Sequence, residues 1–367
     1  MIVKNESQVI ARCLASCKDL IDYWVIVDTG STDDTQEIIR KELKGIPGEL
    51  HSRPWVNFGH NRQEALLLAK KKGDYILFMD ADDKLEFSEG FQLPDLIEDY
   101  YFTAGYTAQG AEYIVIQLIK ADLDWCWEGV VHEELLCKKP VQGSYLQKIR
   151  YRYIHDGARG KDPKTEEKDR ALLEEDVKKH PENARSIFHL ARLYANSNHP
   201  EEALKWYKKR AEMTKNDVET YYAQLMVGIL QDQLHFDTRV IEESFFKAYL
   251  VRPDRAESLY YLACKLCQRN EFEKSYEMLN LALQLPSDVV GQAYERWIYD
   301  YGLLYQFMVS AAKTEQYSKA IELCQQLMKN PNLPETVRVE VAKHLEWVRN
   351  KNSVHIEKRL RELVDGF

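Results

Sequence analysis

The chain has 367 residues, 45% hydrophobic and 30% charged, which is the composition of a globular protein with room for two ordinary domains. Its net charge of −9, from 50 basic and 59 acidic residues, excludes the basic footprint that nucleic-acid binding usually needs, and gives no attraction to an anionic membrane. No segment has the length and apolar character of a membrane span, and the opening residues lack the pattern of a signal peptide. The seven cysteines are odd in number and scattered, which favours reduced thiols in a cytoplasmic protein.

The first half of the chain alternates short apolar runs with helical stretches. The chain opens inside such a run, "MIV", so either its start is unusually tight or a few upstream residues are missing. Further strand-like runs are "YWVIVD", "YILFMD", "EYIVIQLI" and "KIRYRYIHD". Helical stretches between the first of these predict a mostly parallel, Rossmann-like sheet covered on both faces. In such sheets, ligands bind beyond the carboxyl ends of the strands.

Three carboxylates follow one of these apolar strands directly. The strand Tyr75 to Met79 runs into Asp80, Asp82 and Asp83. Alternate residues of a strand-end turn can point the same way, so Asp80 and Asp82 can address one centre. Acidic residues also form turns and cap helices, and we assign that plainer role to Asp83.

The second half, from about Lys164, reads as helical throughout and repeats itself. The segments "SIFHLARLYANSNHPEEALKWYKKRAEM" and "SLYYLACKLCQRNEFEKSYEMLNLALQL" superimpose, and Ala248 and Ala282 lie 34 positions apart. Small residues let paired helices approach closely. This spacing resembles the tetratricopeptide repeat over about residues 184–330, whereas an ordinary antiparallel bundle would use Ala and Leu without a fixed period. We therefore divide the chain into domains 1–163 and 164–367.

Several motifs of the first half occur together in a specific order. They are "MIVKNE", "VIVDTGSTDDT", "NFGHNRQEALLLAKKKGDYILFMDADD", "WEGVVHEEL" and "YIHDG". In this order they resemble a family-2 glycosyltransferase of the GT-A fold, over about residues 1–160. The combination with helical repeats resembles a bacterial group that includes protein S-glycosyltransferases. The resemblance implies an α/β GT-A domain followed by an all-α tetratricopeptide-repeat domain.

The same resemblance implies an inverting enzyme that uses a UDP-sugar and Mn²⁺ or Mg²⁺. Asp80-Ala81-Asp82 is similar to the family's DXD motif, in which Asp80 reaches the ribose or a metal-bound water and Asp82 binds the metal. Hard carboxylate oxygens suit both cations. The family also has a histidine that completes the metal shell, here His155, although a lone histidine more often has a structural role.

The nucleotide would contact the ends of the first two strands. By resemblance, Asp28 accepts the N–H of uracil. Arg62 is expected at the pyrophosphate or the base, with a surface salt bridge as its plainer alternative. The residues expected to frame the base are Val3, Lys4, Asn5 and Glu6.

The motif "WEGVVHEEL" would supply the acceptor side. The family places its catalytic base in an acidic pair at this point, usually Glu-Asp, and here the pair is Glu133-Glu134. We favour Glu134 as the base and keep Glu133 as the alternative. His132 and Trp127 are candidates for acceptor contacts, and Trp125 shares with Trp127 the alternative of ordinary packing.

The expected activity is transfer of a sugar to a peptide or protein that the repeats present. Exposed repeat faces can also pair, which would give a homodimer. One rival is a nucleotidyltransferase, which also uses strand-end aspartates and a metal, but "MIVKNESQ" lacks the glycine-rich opening usual for that class. A second rival is a non-catalytic repeat scaffold with a relic first domain, against which the intact acidic motifs argue.

Overall fold

In the computed structural model, the described residues are 1–107, 112–213, 217–286 and 295–365. The chain divides into two compact units, Met1–His189 and Leu190–Phe367. The predicted boundary after residue 163 lies ahead of this division, so the helix that follows residue 163 is grouped with the first unit. None of the helices in these ranges is long and apolar enough to cross a bilayer.

The first unit begins with a small sheet of three parallel strands. These are β1 (Ile2–Val3), β2 (Trp24–Asp28) and β3 (Gly48–Ser52), in that order across the sheet. The helices α1 (Ile10–Cys17) and α2 (Thr35–Glu42) connect them. Crossover helices are what parallel neighbours require, as the sequence predicted. The register pairs Val3 with Asp28, so β1 and β2 end side by side.

A second sheet of five strands follows helix α3 (Phe58–Ala69). Its strands, in the order across the sheet, are β4 (Tyr75–Leu77), β7 (Glu112–Lys120), β6 (Tyr100–Thr107), β10 (Gly143–Tyr153) and β5 (Lys84–Phe87). Only β6 and β10 pair in parallel; the neighbours β4–β7, β6–β7 and β5–β10 are antiparallel. The strands β8 (Trp125–Glu128) and β9 (Glu134–Cys137) form a separate hairpin.

The fold class is confirmed as an α/β domain followed by a helical one, but the sheet is less parallel than the sequence suggested. The reason lies in the connections after β4. A parallel pair needs a crossover of a dozen or more residues, whereas a short connection such as that between β8 and β9 joins antiparallel strands. The sequence pattern showed β4, β7 and part of β10 as apolar runs but gave no sign of their order.

The first unit closes with helices packed near the ends of these strands. A short helix, α4 (Ala158–Lys161), follows β10 directly, and α5 (Thr165–Lys179) comes next. The buried apolar residues of the first unit include two separate clusters, one at each of the two sheets. Val3, Ile10, Ile26 and Ile39 pack with the parallel sheet, while Met79, Leu118, Ile149 and Tyr151 pack with the mixed one. The strand-end acids therefore stand on a rigid support.

In the described residues of the second unit, the regular secondary structure is helical and short turns connect the helices. The helices from the division onwards are α6 (Ala184–Asn196), which spans it, α7 (Pro200–Ala211), α8 (Asp217–Gln233), α9 (Thr238–Val251), α10 (Glu257–Gln268), α11 (Phe272–Ala282), α12 (Leu303–Lys313), α13 (Tyr317–Met328) and α14 (Glu335–Asp365). Sequential helices pack in pairs, among them α8 with α9, α10 with α11 and α12 with α13. Ala248 and Ala282, the small residues 34 positions apart, are both fully buried, as close helix pairing requires.

Candidate active site

A cavity of about 930 Å³ opens in the first unit beside the ends of β1 and β4. Most of the site residues that the sequence predicted line this cavity. Those lining it are Val3, Lys4, Asn5, Glu6, Arg62, Asp80, Ala81, Asp82, His132, Glu133 and His155. Three predicted residues do not line it, namely Asp28, Trp127 and Glu134.

The acidic turn after β4 uses its three aspartates differently. Asp83 is 2% exposed, and its Oδ1 accepts a hydrogen bond from the Ile154 amide at 2.8 Å. Burial raises the pKa of Asp83 to about 6, against the opposing effect of that hydrogen bond. The carboxylate of Asp83 is thus bound to the residue after β10, not to a helix N-terminus as the sequence suggested, and Asp83 also lines the cavity. Asp82 accepts a hydrogen bond from the Gly157 amide at 3.2 Å through Oδ2 and also faces the cavity.

Arg62 links two acids that come from different parts of the chain. Its Nη2 lies 2.5 Å from Asp80 Oδ1, and its Nε lies 2.5 Å from Glu133 Oε1. The side chain is only 16% exposed, so a surface salt bridge does not describe it. Burial works against the charge of Arg62, but the carboxylates of Asp80 and Glu133 raise its pKa above its usual value.

A tight loop brings Glu133 to Arg62. Gly129 and His132 in this loop have positive φ angles of 102° and 55°. A Cβ atom on Gly59 of α3 would collide with the carbonyl oxygen of Gly129, so glycine is needed for the close approach. The first turns of α3 therefore pack against the loop, and this contact holds the two parts of the ion-paired group together.

The neighbouring acid, Glu134, points elsewhere. It is the first residue of β9, its side chain is 49% exposed, and its Oε2 pairs with Arg185 Nη1 at 3.1 Å. Glu133, whose side chain is 11% exposed, faces the cavity instead. The geometry therefore favours the alternative of the two glutamates over the one that the sequence favoured.

Of the residues proposed to contact the sugar acceptor, His132 lines the cavity and the two tryptophans do not. His132 lines the cavity, and its ring stacks on His189 with 4.5 Å between centroids. Trp127 lies behind Arg62, with the guanidinium 5.2 Å from its ring, and packs edge-on against Phe78. Trp125 is 3% exposed in the core. Packing, the plainer interpretation, fits both tryptophans.

The segment after β1 is held by the turn after β2. Asn5 has a φ angle of 58°, and its Oδ1 accepts a hydrogen bond from the Thr32 amide at 2.8 Å. Glu6 accepts one from the Ala158 amide at 3.1 Å. Burial raises the pKa of Glu6 to about 7, opposed by the Ala158 hydrogen bond and helped by the charge of Asp82.

Asp28 is buried beneath this segment. It is 1% exposed, and its Oδ1 accepts hydrogen bonds from the amides of Gly30 and Ser31, each at 2.7 Å. Its Oδ2 is buried and accepts no hydrogen bond from the described residues. Thr29, the next residue, does line the cavity. Asp28 therefore has one carboxylate oxygen that is available as an acceptor, and the residue next to it in the chain, Thr29, is part of the cavity wall.

The donor atoms at the cavity fit a cation that is shared with a phosphate ligand. Within the described ranges, no three carboxylate, imidazole or thiol groups converge on one point as a closed metal site would need. Mg²⁺ and Mn²⁺ in nucleotide sites are usually held by one or two carboxylates together with phosphate oxygens. Asp82 and Asp80 meet that need. His155, with a φ angle of 59° and its ring stacked on Tyr153, faces the same cavity.

The cavity also contains residues that sequence analysis did not identify. Among them are Trp55, Phe58, Arg159 and Asp169. Trp55 and Phe58 could have been suspected, because "RPWVNFG" places two aromatic residues in a loop just before a helix. Arg159 and Asp169 belong to no recognised motif, and Asp169 lies beyond the predicted domain boundary.

Comparison with known proteins shows that this chain is similar to glycosyltransferases. Residues 1–105 match the model of the family described as glycosyl transferase family 2. An uncharacterized glycosyltransferase of Rickettsia prowazekii is 36% identical over 104 residues, which cover 28% of this chain and 32% of the relative. The SPbeta prophage-derived glycosyltransferase SunS of Bacillus subtilis is 25% identical over 228 residues, covering 57% of this chain and 51% of SunS.

Further matches concern repeat proteins. A TPR repeat-containing protein of Synechococcus elongatus is 39% identical over 85 residues, which cover 23% of this chain and 20% of the relative. The solved structure of the TPR protein YrrB covers 49% of this chain and 84% of its own, with 16% identity and a TM-score of 0.39. The repeats are therefore assigned from the sequential pairing of helices in this chain itself.

The chain spans about half or less of the length of these curated relatives, from 20% to 51%. The family match, however, includes β1, β2, the Arg62 helix and the acidic turn after β4. Residues 1–105 thus match a family-2 glycosyltransferase domain, and the second unit that follows consists of helices packed in sequential pairs.

Proposed function

We propose that the chain transfers a sugar from a UDP-sugar to a peptide or protein, with inversion at the anomeric carbon and with Mn²⁺ or Mg²⁺. The observation that carries this proposal is the cavity itself. It gathers the strand-end acids Asp80 and Asp82, the cation Arg62 and the carboxylate Glu133 around a volume of about 930 Å³. That volume suits a ligand of nucleotide-sugar size.

The diphosphate would lie at the acidic turn. A cation held by Asp82, with Asp80 or His155 and the phosphate oxygens, would neutralise the charge that develops on the departing diphosphate. Arg62 is a second positive group at the same end of the cavity and suits phosphate oxygens. Its contact with Asp80 also fixes the position of that carboxylate.

We propose Glu133, in place of Glu134, as the catalytic base. Its Oε1 is occupied by Arg62 Nε, which leaves Oε2 to accept the proton of the acceptor nucleophile. The nucleophile would attack the anomeric carbon from the face opposite the diphosphate, forming one glycosidic bond as the bond to UDP breaks. The proton ends on Glu133 and the electron pair on the diphosphate.

Recognition of the base would use Asp28. Its unused Oδ2 is an acceptor that matches the N–H of uracil, whereas cytosine presents an acceptor at that ring position. Because Asp28 does not line the cavity, the turn from Thr29 to Ser31 would have to open for the base to reach it. Val3, Lys4, Asn5 and Glu6 would then frame the base.

The helical pairs would bind the acceptor protein or a second copy of the chain. Helix α9 exposes Phe246 and Leu250, by 48% and 62%. Apolar side chains exposed on a repeat helix are the kind of surface that binds a peptide or protein. In this proposal, domain 1–163 binds the donor and catalyses transfer, and domain 164–367 binds the acceptor protein or a second copy of the chain.

The decisive experiment is a calorimetric titration of UDP into the protein, with Mn²⁺ and again with a chelator, followed by a screen of UDP-sugars for release of UDP. We expect UDP to bind in the presence of Mn²⁺ and to bind weakly in the presence of the chelator. In the screen, we expect one UDP-sugar to be hydrolysed slowly, with release of UDP. Release of pyrophosphate from a nucleoside triphosphate would instead indicate a nucleotidyltransferase. Absence of both binding and release would support a scaffold.

A further inference from the structure

One part of the cavity wall contains none of the residues proposed above for the donor, the metal or the catalytic base. Its members are Trp55, just before α3, and Phe58, the first residue of α3, together with Arg159 of α4 and Asp169 of α5. Leu172, one turn along α5, extends this wall. These residues come from three separate segments, and none contacts the strand-end acids in the described interactions.

Asp169 has an unused acceptor at this wall. Its side chain is 8% exposed, and its Oδ2 lies 2.5 Å from Arg159 Nη2. Its Oδ1 is buried and accepts no hydrogen bond from the described residues. Buried carboxylate oxygens are nearly always paired, so an unused one calls for a partner. The last torsion of an aspartate side chain has a broad range. Because Asp169 itself lines the cavity, a small turn of its carboxylate would bring Oδ1 to the cavity surface.

The aromatic side chains beside it are held in place. The rings of Trp55 and Phe58 meet edge to face with 4.7 Å between centroids, and the Arg159 guanidinium lies 4.4 Å from the Phe58 ring. Asn61, which is fully buried, accepts a hydrogen bond from the Val56 amide and donates one to the Pro54 carbonyl, both at 3.0 Å. Asn61 thus fixes the loop that carries Trp55, which is 37% exposed.

The chemistry of this wall discriminates between acceptor classes. A sugar ring stacks on a flat aromatic face and needs polar partners for several hydroxyl groups. Here the two rings stand at 79° to each other, Arg159 is already paired with Asp169, and Lys168 is paired with Asp162 at 2.6 Å. One unused acceptor next to apolar ring edges instead matches a single N–H beside an apolar side chain.

We propose that this wall is the acceptor subsite, and that it binds a peptide segment in which an aliphatic or aromatic side chain adjoins a main-chain N–H. The proposal depends on the glycosyltransferase function proposed above and specifies its acceptor. Trp55 and Phe58 receive the side chain, and Asp169 accepts the N–H. The reacting group of the peptide then extends toward Glu133, which lines the same cavity.

The test uses small probes on the full chain with UDP and Mn²⁺. N-acetyl-leucinamide and N-acetyl-phenylalaninamide each carry one apolar side chain between amide N–H groups, and methyl glucoside represents a glycan acceptor. Binding is followed by ligand-observed NMR. We expect both amides to bind, and Trp55→Ala and Asp169→Asn to weaken them by about tenfold, the effect of one good contact.

Two control variants separate the wall from general effects. Leu67→Ala removes an apolar side chain on α3 that is 58% exposed, and Glu175→Gln changes an exposed acid on α5; neither residue lines the cavity. Both should bind the amides as the parent does. Binding that is equal in Trp55→Ala, Asp169→Asn and the parent would overturn the proposal, as would binding of methyl glucoside in preference to the amides.

UDP affinity in the same variants distinguishes failure of this proposal from failure of the proposed function. If UDP does not bind the parent, the donor assignment fails, while the amide data still decide on the wall. If Asp169→Asn and Trp55→Ala weaken UDP as much as the amides, the wall belongs to the donor and the acceptor proposal is wrong. Trp55 is partly exposed, so its replacement should leave folding intact even if Asp169→Asn does not fold.

Discussion

Arg62 Nε lies 2.5 Å from Glu133 Oε1, although the two residues are 71 positions apart in the chain. Through Nη2 the same guanidinium contacts Asp80 Oδ1. One side chain thus joins the acid that would contact the donor to the acid that would deprotonate the acceptor. Because a guanidinium has a fixed planar fork, it also fixes the direction of both carboxylates.

This bridge leads to a first prediction. Arg62→Lys keeps the positive charge but replaces the fork with a single ammonium group, which cannot hold both acids in the same directions. We expect the rate of sugar transfer to fall by about tenfold to a hundredfold, because misplacement of reacting groups is costly. Steady-state release of UDP measures it. Arg53→Lys is the control, since Arg53 pairs only loosely with Glu64, at 3.8 Å, and does not line the cavity; equal loss in both variants would contradict the bridging role.

The second prediction separates the two adjacent glutamates. Glu133→Gln preserves size but cannot take a proton, so transfer should slow by about a hundredfold or more with UDP affinity little changed. Glu134→Gln is the matched control and should remain close to the parent rate, because Glu134 pairs with Arg185 outside the cavity. If Glu134→Gln is the slow variant, the base is the residue that sequence analysis favoured.

The third prediction concerns the metal. Asp82→Asn retains a hydrogen-bond acceptor for the Gly157 amide but loses the charge that a divalent cation requires. UDP affinity in Mn²⁺ should fall by about tenfold or more, to the level that the parent shows with chelator. Calorimetry with and without Mn²⁺ measures both. Asp122→Asn, an exposed acid outside the cavity, should bind as the parent does; unchanged Mn²⁺ dependence in Asp82→Asn would remove Asp82 from the metal site.

The fourth prediction concerns the stability of the helical unit. Glu257 is fully buried and accepts hydrogen bonds from Tyr221 and Tyr299, at 3.0 and 2.7 Å, besides its ion pair with Arg255. Removing the charge of one partner from such a pair typically costs about 3–5 kcal/mol. Glu257→Gln should therefore lower the free energy of unfolding by an amount in that range, measured by urea denaturation. Glu277→Gln, an exposed acid on α11, should change it by less than about 0.5 kcal/mol.

The sequence predicted those site residues whose role can be recognised from their neighbours in the chain, and not those that only tertiary packing brings to the cavity. Asp80 and Asp82 could be found because they end an apolar strand, and strand ends are where such folds bind ligands. Glu133 and Glu134 could not be told apart, because their difference lies in partners distant in sequence, Arg62 for Glu133 and Arg185 for Glu134. Asp169 could not be found at all, since only tertiary packing brings α5 to the cavity.

The same contrast applies to the fold. The parallel pairing of β1 with β2 agrees with the helix predicted between them, and burial of Ala248 and Ala282 agrees with their spacing. Strand β3 was not predicted, because "GELHS" has no apolar run. Pairing of β6 with β10 did not follow, because those strands are distant in sequence and no local pattern encodes their partners.

The last prediction tests the division between the two halves of the chain. A cut after residue 164 would remove α5, whose Asp169 lines the cavity, and Arg185, whose Nε donates a hydrogen bond to the His132 carbonyl at 3.0 Å. Such a fragment should lose part of the site itself. A cut after Asn196 keeps α5 and α6, so this longer fragment should bind UDP within about threefold of the full chain, because its nucleotide contacts remain.

The longer fragment should nevertheless modify a protein acceptor at least about tenfold more slowly than the full chain, if the helical pairs contribute one binding contact or more. Slow hydrolysis of the donor by water should persist, because it needs only the cavity. A cooperative melt must first establish that the fragment folds. A folded fragment that modifies its protein acceptor at the full rate would show that the helical pairs do not hold the acceptor, and pairing of two chains would then be the role to examine, by sedimentation of the full chain.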